Sequence, residues 1–384
     1  MKFIFKIIRI LKTTKFIFKK PPKKKTLIFN EKSEIFISNL FSKEDYFCLD
    51  TSYKKINLYI LIILFIKFKK INPINYYEEI IRTVNPNYIF TFIDNDLLFY
   101  KLKKKLRNIK FVSIQNGIRF VTGDILEKLK EDNETYEIDY FFSFDENYSN
   151  HMQKYIKGKY ITIGSFKNNS FPISSKYEKG TICFISRMSD MFLEYSRHSD
   201  FEMIKKNYKN WENELLKYVI QLIKNVYLFC EKKNITLNIL GSSPKPDQEY
   251  RLFESLIPNK NFVFYPKKDL YSSYRKVDRF EILINPMSTF GYEALARNKK
   301  VCFFSGDFIE GSNFNWPTTE NKKGIFFSNS NEINEVTRII NNLINIDDVA
   351  WAKEISFFKT KRFFFDKNNS KVKNFLKNNK ISTK

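Results

Sequence analysis

The chain has 384 residues, enough for two domains of ordinary size, and 43% of them are apolar, with 41 Phe and 22 Tyr as core material. Only 10 Gly and 11 Pro argue against a fibrous repeat or a disordered chain, and Cys48, Cys183, Cys230 and Cys302, widely spaced and without a CxxC or histidine cluster, indicate neither a structural zinc nor a disulfide scaffold. The formal charge of +24 directs the surface toward acidic solutes: a phosphorylated donor, an acidic glycan, an anionic bilayer or nucleic acid.

Residues 1–25 hold ten Lys and Arg and no acid. In Met1–Lys12 the cations alternate with Phe and Ile, which predicts a basic amphipathic segment on an anionic membrane rather than a cleaved secretion signal. Thr26–Phe29 reads as a first strand. Leu58–Ile66 is apolar throughout but too short to cross a bilayer as a helix, so a buried helix or strand is expected. Asn87–Ile93 runs into Asp94-Asn95-Asp96, Phe111–Ile114 into Gln115-Asn116-Gly117, and Tyr140–Phe144 into Asp145-Glu146. Apolar strands that each stop at polar residues predict a parallel sheet with its ligand site beyond the carboxyl ends. Tyr160–Ser165 closes this half, and the Asn-, Ser-, Pro- and Lys-rich stretch 167–180 suits a linker.

A second set follows. Thr181–Ile185 ends at Ser186-Arg187, Leu237–Leu240 at Gly241-Ser242-Ser243, and Asn261–Phe264 at Tyr265-Pro266. The stretch 201–230 carries an amphipathic stripe of Leu215, Leu216, Val219, Ile220, Ile223 and Val226. Glu281–Ile284 then leads into Asn285-Pro286-Met287-Ser288-Thr289, where a hydroxyl caps a helix continued by Glu293, Ala294, Leu295 and Ala296. Val301–Phe304 and Gly324–Phe327 supply two more strands. A last helix over about 333–357, with Trp351, is expected to pack back across the first half. The organisation predicted is a basic segment over 1–25, an N-terminal Rossmann-like acceptor domain over 26–175, a C-terminal Rossmann-like donor domain over 176–345, and a C-terminal helix with basic tail over 346–384.

The helix start at Ser288 and Thr289 offers hydroxyls and backbone N–H groups in the positive field of a helix, with a carboxylate one turn inside; that suits a phosphate and a sugar hydroxyl, although an ordinary cap reads the same way. Arg187 can fork onto a diphosphate with Ser186 beside it, or pair with an acid. Gly241 and Ser242 leave room for phosphate or base, or simply turn the chain. In the first half Asp94 and Asp145 are candidates to take a proton from an acceptor hydroxyl, or helix caps. Gln115 and Asn116 form a hydrogen-bonding turn, with Arg119 near an acidic acceptor. Trp316 offers a stacking platform or a packing residue. No GxGxxG or GxxxxGK occurs, and His151 and His198 are the only histidines, so dinucleotide, P-loop and Ser/His/Asp chemistry lack their residues.

Val112–Arg119 and Ser288–Val301 resemble the paired motifs of bacterial surface-carbohydrate biosynthesis proteins, relatives of the GT-B glycosyltransferases and of capsule and teichoic-acid polymer transferases. The resemblance covers roughly 85 to 345. Relatives of the teichoic-acid type carry Gln-His-Gly where Gln115-Asn116-Gly117 stands, and asparagine cannot act as a general base. The resemblance implies an α/β, GT-B-like fold of two Rossmann-like domains facing a central cleft, and transfer of a sugar from a nucleotide-activated donor, UDP- or CMP-linked, to a glycan or lipid-linked glycan on the cytoplasmic membrane face. It implies that Glu293 accepts from ribose or sugar hydroxyls, with no metal or other cofactor required. A polyol-phosphate transferase, a UDP-sugar 2-epimerase and a nucleic-acid-binding protein are the alternatives; no RRM, KH or zinc-finger pattern accompanies the charge, so no specific nucleic acid is expected.

Overall fold

Short apolar runs joined by helical crossovers must lie parallel and be covered on both faces, and the chain builds two such sheets. The computed structural model describes residues 14–52, 54–119, 125–174, 176–187, 190–198, 210–306, 323–361 and 364–381. Met1–Lys12 and Trp316 therefore lie outside the described residues.

The first unit comprises 1–118, 124–167 and 368–384. Its strands are β1 (Lys15–Ile17), β2 (Thr26–Phe29), β3 (Tyr46–Leu49), β4 (Lys55–Asn57), β5 (Tyr88–Thr91), β6 (Lys110–Ile114), β7 (Tyr136–Ser143) and β8 (Ile156–Thr162). Six of them form a parallel sheet in the order β3-β2-β5-β6-β7-β8, while β1 and β4 pair by themselves. Alternation along the strands sends Leu27, Phe29, Ile89 and Phe111 into one core with helices 58–66, 73–84 and 97–105. Ile28, Phe90, Val112 and Phe142 enter the other core with Ile37, Phe41, Val372, Phe375 and Leu376.

The second unit comprises 119–123 and 168–367. Strands β9 (Glu178–Ile185), β10 (Leu237–Leu240), β11 (Phe262–Tyr265), β12 (Phe280–Asn285), β13 (Lys300–Phe304) and β14 (Phe327–Ser328) run parallel in the order β11-β10-β9-β12-β13-β14. Numbered within the unit this is 3-2-1-4-5-6, the doubly wound order whose direction reverses between β9 and β12.

Three expectations change. The run 58–66 is a helix, but only Ile60 and Leu64 are buried, and Ile62, Phe65 and Ile66 face solvent. The expected helix over 333–357 is two, Ile333–Asn345 and Asp348–Lys361, both in the second unit. There the Trp351 indole N–H donates to the Asn298 carbonyl at 3.1 Å and its ring meets Phe326 edge-on. The helix that rejoins the first unit is Ser370–Asn378. The stretch after 167 is not a loose tether either. The Arg297 guanidinium, paired with Asp278, donates to the Asn168 side chain and to the carbonyls of Phe171 and Pro172, while Asp278 accepts the Ser174 N–H at 2.8 Å.

Candidate functional site

In the second unit the change of strand direction puts the carboxyl ends of β9 and β12 side by side, with Ile284 in register with Phe184. Ser186-Arg187 follow the first strand and Met287-Ser288-Thr289 the second. Ser288 caps helix Thr289–Ala296, its hydroxyl accepting the Phe290 N–H. Asn285, the last residue of β12 and fully buried, accepts the Ser288 N–H on Oδ1 at 3.0 Å. Its Nδ2 is buried with no hydrogen-bond partner. Gly291 makes this fit possible, since a Cβ there would lie 2.2 Å from Asn285 Cγ. Met287 bridges Asn285 and Ser288 at φ 61°, in the left-handed region that a long side chain disfavours. An orphaned amide donor and a strained linker at a helix N-terminus together mark a place built to be completed by an acceptor.

Burial pushes the Arg187 guanidinium pKa down to about 10, so it remains cationic at neutral pH. Glu293 lies one turn into the helix, buried, with the Tyr274 hydroxyl donating to Oε2 at 2.6 Å and its own carbonyl accepting from Asn168 at 2.9 Å. Tyr274 thus holds the carboxylate in one orientation.

Gly241 and Ser242 are engaged elsewhere. Glu249, on helix Pro246–Leu256, is fully buried at the end of β10 and takes the Ser242 N–H at 2.9 Å, the Ser243 N–H at 3.0 Å and the Ser186 hydroxyl. Gly241 carries no side chain because a Cβ would stand 2.9 Å from Glu249 Oε2. The amides that a phosphate would need there are turned onto a carboxylate of the chain itself. Burial raises the Glu249 pKa, against the opposing pull of these donors.

The first unit gathers Asp94, Gln115, Asn116 and Asp145 at the ends of β5, β6 and β7. Asp94 is fully buried; its Oδ1 accepts the Asn116 N–H at 3.0 Å and its backbone carbonyl the Tyr100 hydroxyl at 2.7 Å. Gln115, also buried, donates to the Gly117 carbonyl and accepts the Phe144 N–H, which locks the turn to the next strand end. Asp145 caps helix Glu146–Met152 through the Tyr148 N–H at 2.7 Å and is only half-buried. Arg119 is buried, His151 has its pKa lowered by burial, and the side chain of His198 lies outside the described residues.

A cavity of about 300 Å³ in the second unit lies at the opposite, amino ends of its strands, among Tyr177, Glu281, Lys299, Lys300 and Trp351. It is not at the switch point. Burial brings the Lys299 pKa there down to about 8. Asn285, Tyr274 and Glu249 escape sequence reasoning. The only signal is a polar residue closing an apolar run at Asn285, while Glu249 and Tyr274 lie in stretches where the sequence pattern predicts no element.

Two doubly wound units with polar strand ends define a GT-B-like protein of two Rossmann-type domains. A family model described as "putative O-antigen biosynthesis protein" matches residues 112–380, and the chain belongs to that family. Among solved structures the chain is similar to S. aureus MnaA, determined with UDP, at 11% identity over 94% of this chain and 97% of that one, with a TM-score of 0.53. A glycosyltransferase from Rickettsia africae is 13% identical over 92% and 98%, with a TM-score of 0.49. The pneumococcal O-GlcNAc transferase GtfA, determined with UDP and GlcNAc, is 12% identical over 79% of this chain, with a TM-score of 0.47, and this chain spans 60% of its length. No curated protein matches.

Proposed function

We propose that the protein transfers a sugar from a nucleotide-activated donor to a surface glycan or lipid-linked glycan at the cytoplasmic membrane face. The observation that carries this reading is the orphaned Asn285 amide beneath the Ser288 helix start, next to the cationic Arg187 at the neighbouring strand end. Donor phosphate sits on Ser288, Thr289 and the helix N–H groups, where the helix field and Arg187 stabilise the charge that develops as the sugar leaves. Glu293, oriented by Tyr274, accepts a hydroxyl of the ribose or sugar. Among the described residues no cluster of His, Cys, Asp and Glu is arranged to hold a metal. Of the two first-unit carboxylates, Asp145 retains access to solvent while Asp94 is sealed and spent on the Asn116 amide, which favours Asp145 as the base.

Because the fold is shared with a protein determined with UDP, UDP-linked sugars are tested first, then CMP-, GDP- and CDP-linked ones. Calorimetric titration is expected to show donor affinity falling about tenfold or more in Glu293→Gln and in the Ser288→Ala/Thr289→Ala pair, with melting temperatures close to wild type. Equal dissociation constants in all three proteins would make the helix start purely structural. Product mass then separates the reactions: a glycoside supports transfer, a phosphodiester a polyol-phosphate transferase, and an isomer of unchanged mass an epimerase.

A further inference from the structure

Helix Leu58–Ile66 is apolar at every position, yet it buries only one side. Ile62, Phe65 and Ile66 share the opposite face at i, i+3 and i+4, with Phe65 75% and Ile66 66% exposed. The turn that follows adds Phe68, 96% exposed, and Ile71. Its geometry is a Schellman closure: the Phe68 N–H donates to the Phe65 carbonyl and the Lys69 N–H to the Leu64 carbonyl. Phe68 occupies the left-handed position of that motif at φ 51°. Glycine or asparagine normally stands there, and this chain follows the habit at Asn85, Asn133, Asn234 and Asn298, with Lys380 the other exception. A phenylalanine in a strained backbone position with almost no contact to the fold gains nothing for the fold.

The surroundings identify what would cover it. Glu78 and Glu79 are buried beside the turn and face Lys67, Lys69, Arg82 and Lys105, with exposed Lys70 in addition, so the patch is rimmed by surplus positive charge. A second copy docking face to face would bring these lysines together. Strand β1, packed against the helix, contributes exposed Phe16, and Phe18 follows it. We propose that helix 58–66 and the turn 67–71 form a wedge that docks on an anionic lipid bilayer, with Phe65, Ile66 and Phe68 entering the interfacial layer and the lysine rim meeting the headgroups. This wedge adjoins residues 15–18 of the basic segment and is independent of the donor reading, because vesicle binding needs no substrate.

Flotation of the full chain with phosphatidylglycerol-containing vesicles, against pure phosphatidylcholine, is the test. Binding is expected on the anionic vesicles and to fall about tenfold in Phe65→Glu/Phe68→Glu. Phe68→Gly separates fold from function: it relieves the left-handed strain, so its melting temperature stays level or rises while vesicle binding falls. In Phe68→Trp, emission shifts to the blue and is quenched by brominated lipid. Wild-type binding by Phe65→Glu/Phe68→Glu, unchanged emission of Phe68→Trp on bound vesicles, or a dimer that this double substitution dissociates would each overturn the proposal.

Discussion

At Asn285 and Gly291 two side-chain choices depend on each other across a few ångströms. Gly291→Ala sets a methyl against the Asn285 amide and is expected to cost about 1–3 kcal/mol. Asn285→Ala in the same molecule removes the obstacle and should return much of that loss, a non-additivity that denaturant melts of the four proteins measure. Additive effects would mean that the helix simply shifts to make room. Glu249 makes a pH-dependent statement. Its folded-state pKa lies above its unfolded value, so the stability it contributes is full below the unfolded pKa and lost as pH rises through the folded one. The melting temperature of Glu249→Gln relative to wild type should therefore improve as pH rises above the ordinary glutamate range near about 4; a constant difference would show that the buried carboxylate carries no such penalty. The Ser288 cap and the helix that carries Glu293 were legible because a hydroxyl ahead of helix-forming residues is a local pattern. Asn285 and Glu249 were not, since an orphaned amide and a buried carboxylate exist only once distant backbone has closed around them.

The strands were the most readable elements, because apolar runs ending in polar residues leave one physical solution, burial in a parallel sheet; β2 and β10 have the expected limits of Thr26–Phe29 and Leu237–Leu240. Tyr46–Leu49 and the cation-bearing Lys15–Ile17 gave no such signal, and both lie at sheet margins where burial is partial. Chain ends of helices were obscured by the scarcity of glycine: eight of the eleven non-glycine residues with positive φ among those described are asparagines, a residue that also marks caps and loops. Helix 370–378 was overlooked because nine cations in 359–384 read as a basic tail. Its apolar face nevertheless completes a core, Phe375 lying 4.7 Å from the Tyr140 ring and 5.2 Å from Phe142. Phe375→Ala should cost about 3–5 kcal/mol, and hydrogen exchange should show the loss in β6 and β7 while the second unit's sheet keeps its protection. Uniform loss across both sheets would contradict the assignment of this helix to the first unit.

For the whole molecule, two α/β units were foreseeable from the alternation of strand and helix patterns, whereas the path of the chain between them was not, since no local pattern records where a segment returns. The second unit is almost one unbroken run, 168–367, and the first is assembled from pieces on either side of it. Lys371 donates to the Thr162 carbonyl 209 residues earlier, and the Tyr88 hydroxyl to Asn379 across 291 residues. Synthesis imposes an order on such a layout. As the polypeptide leaves the ribosome, the sheet carrying Val112, Ile114 and Phe142 emerges long before the helix that covers them, so that face stays open while the entire later unit is made. The later unit can close once its last helix, Asp348–Lys361, has emerged, and the earlier half of the message is finished second.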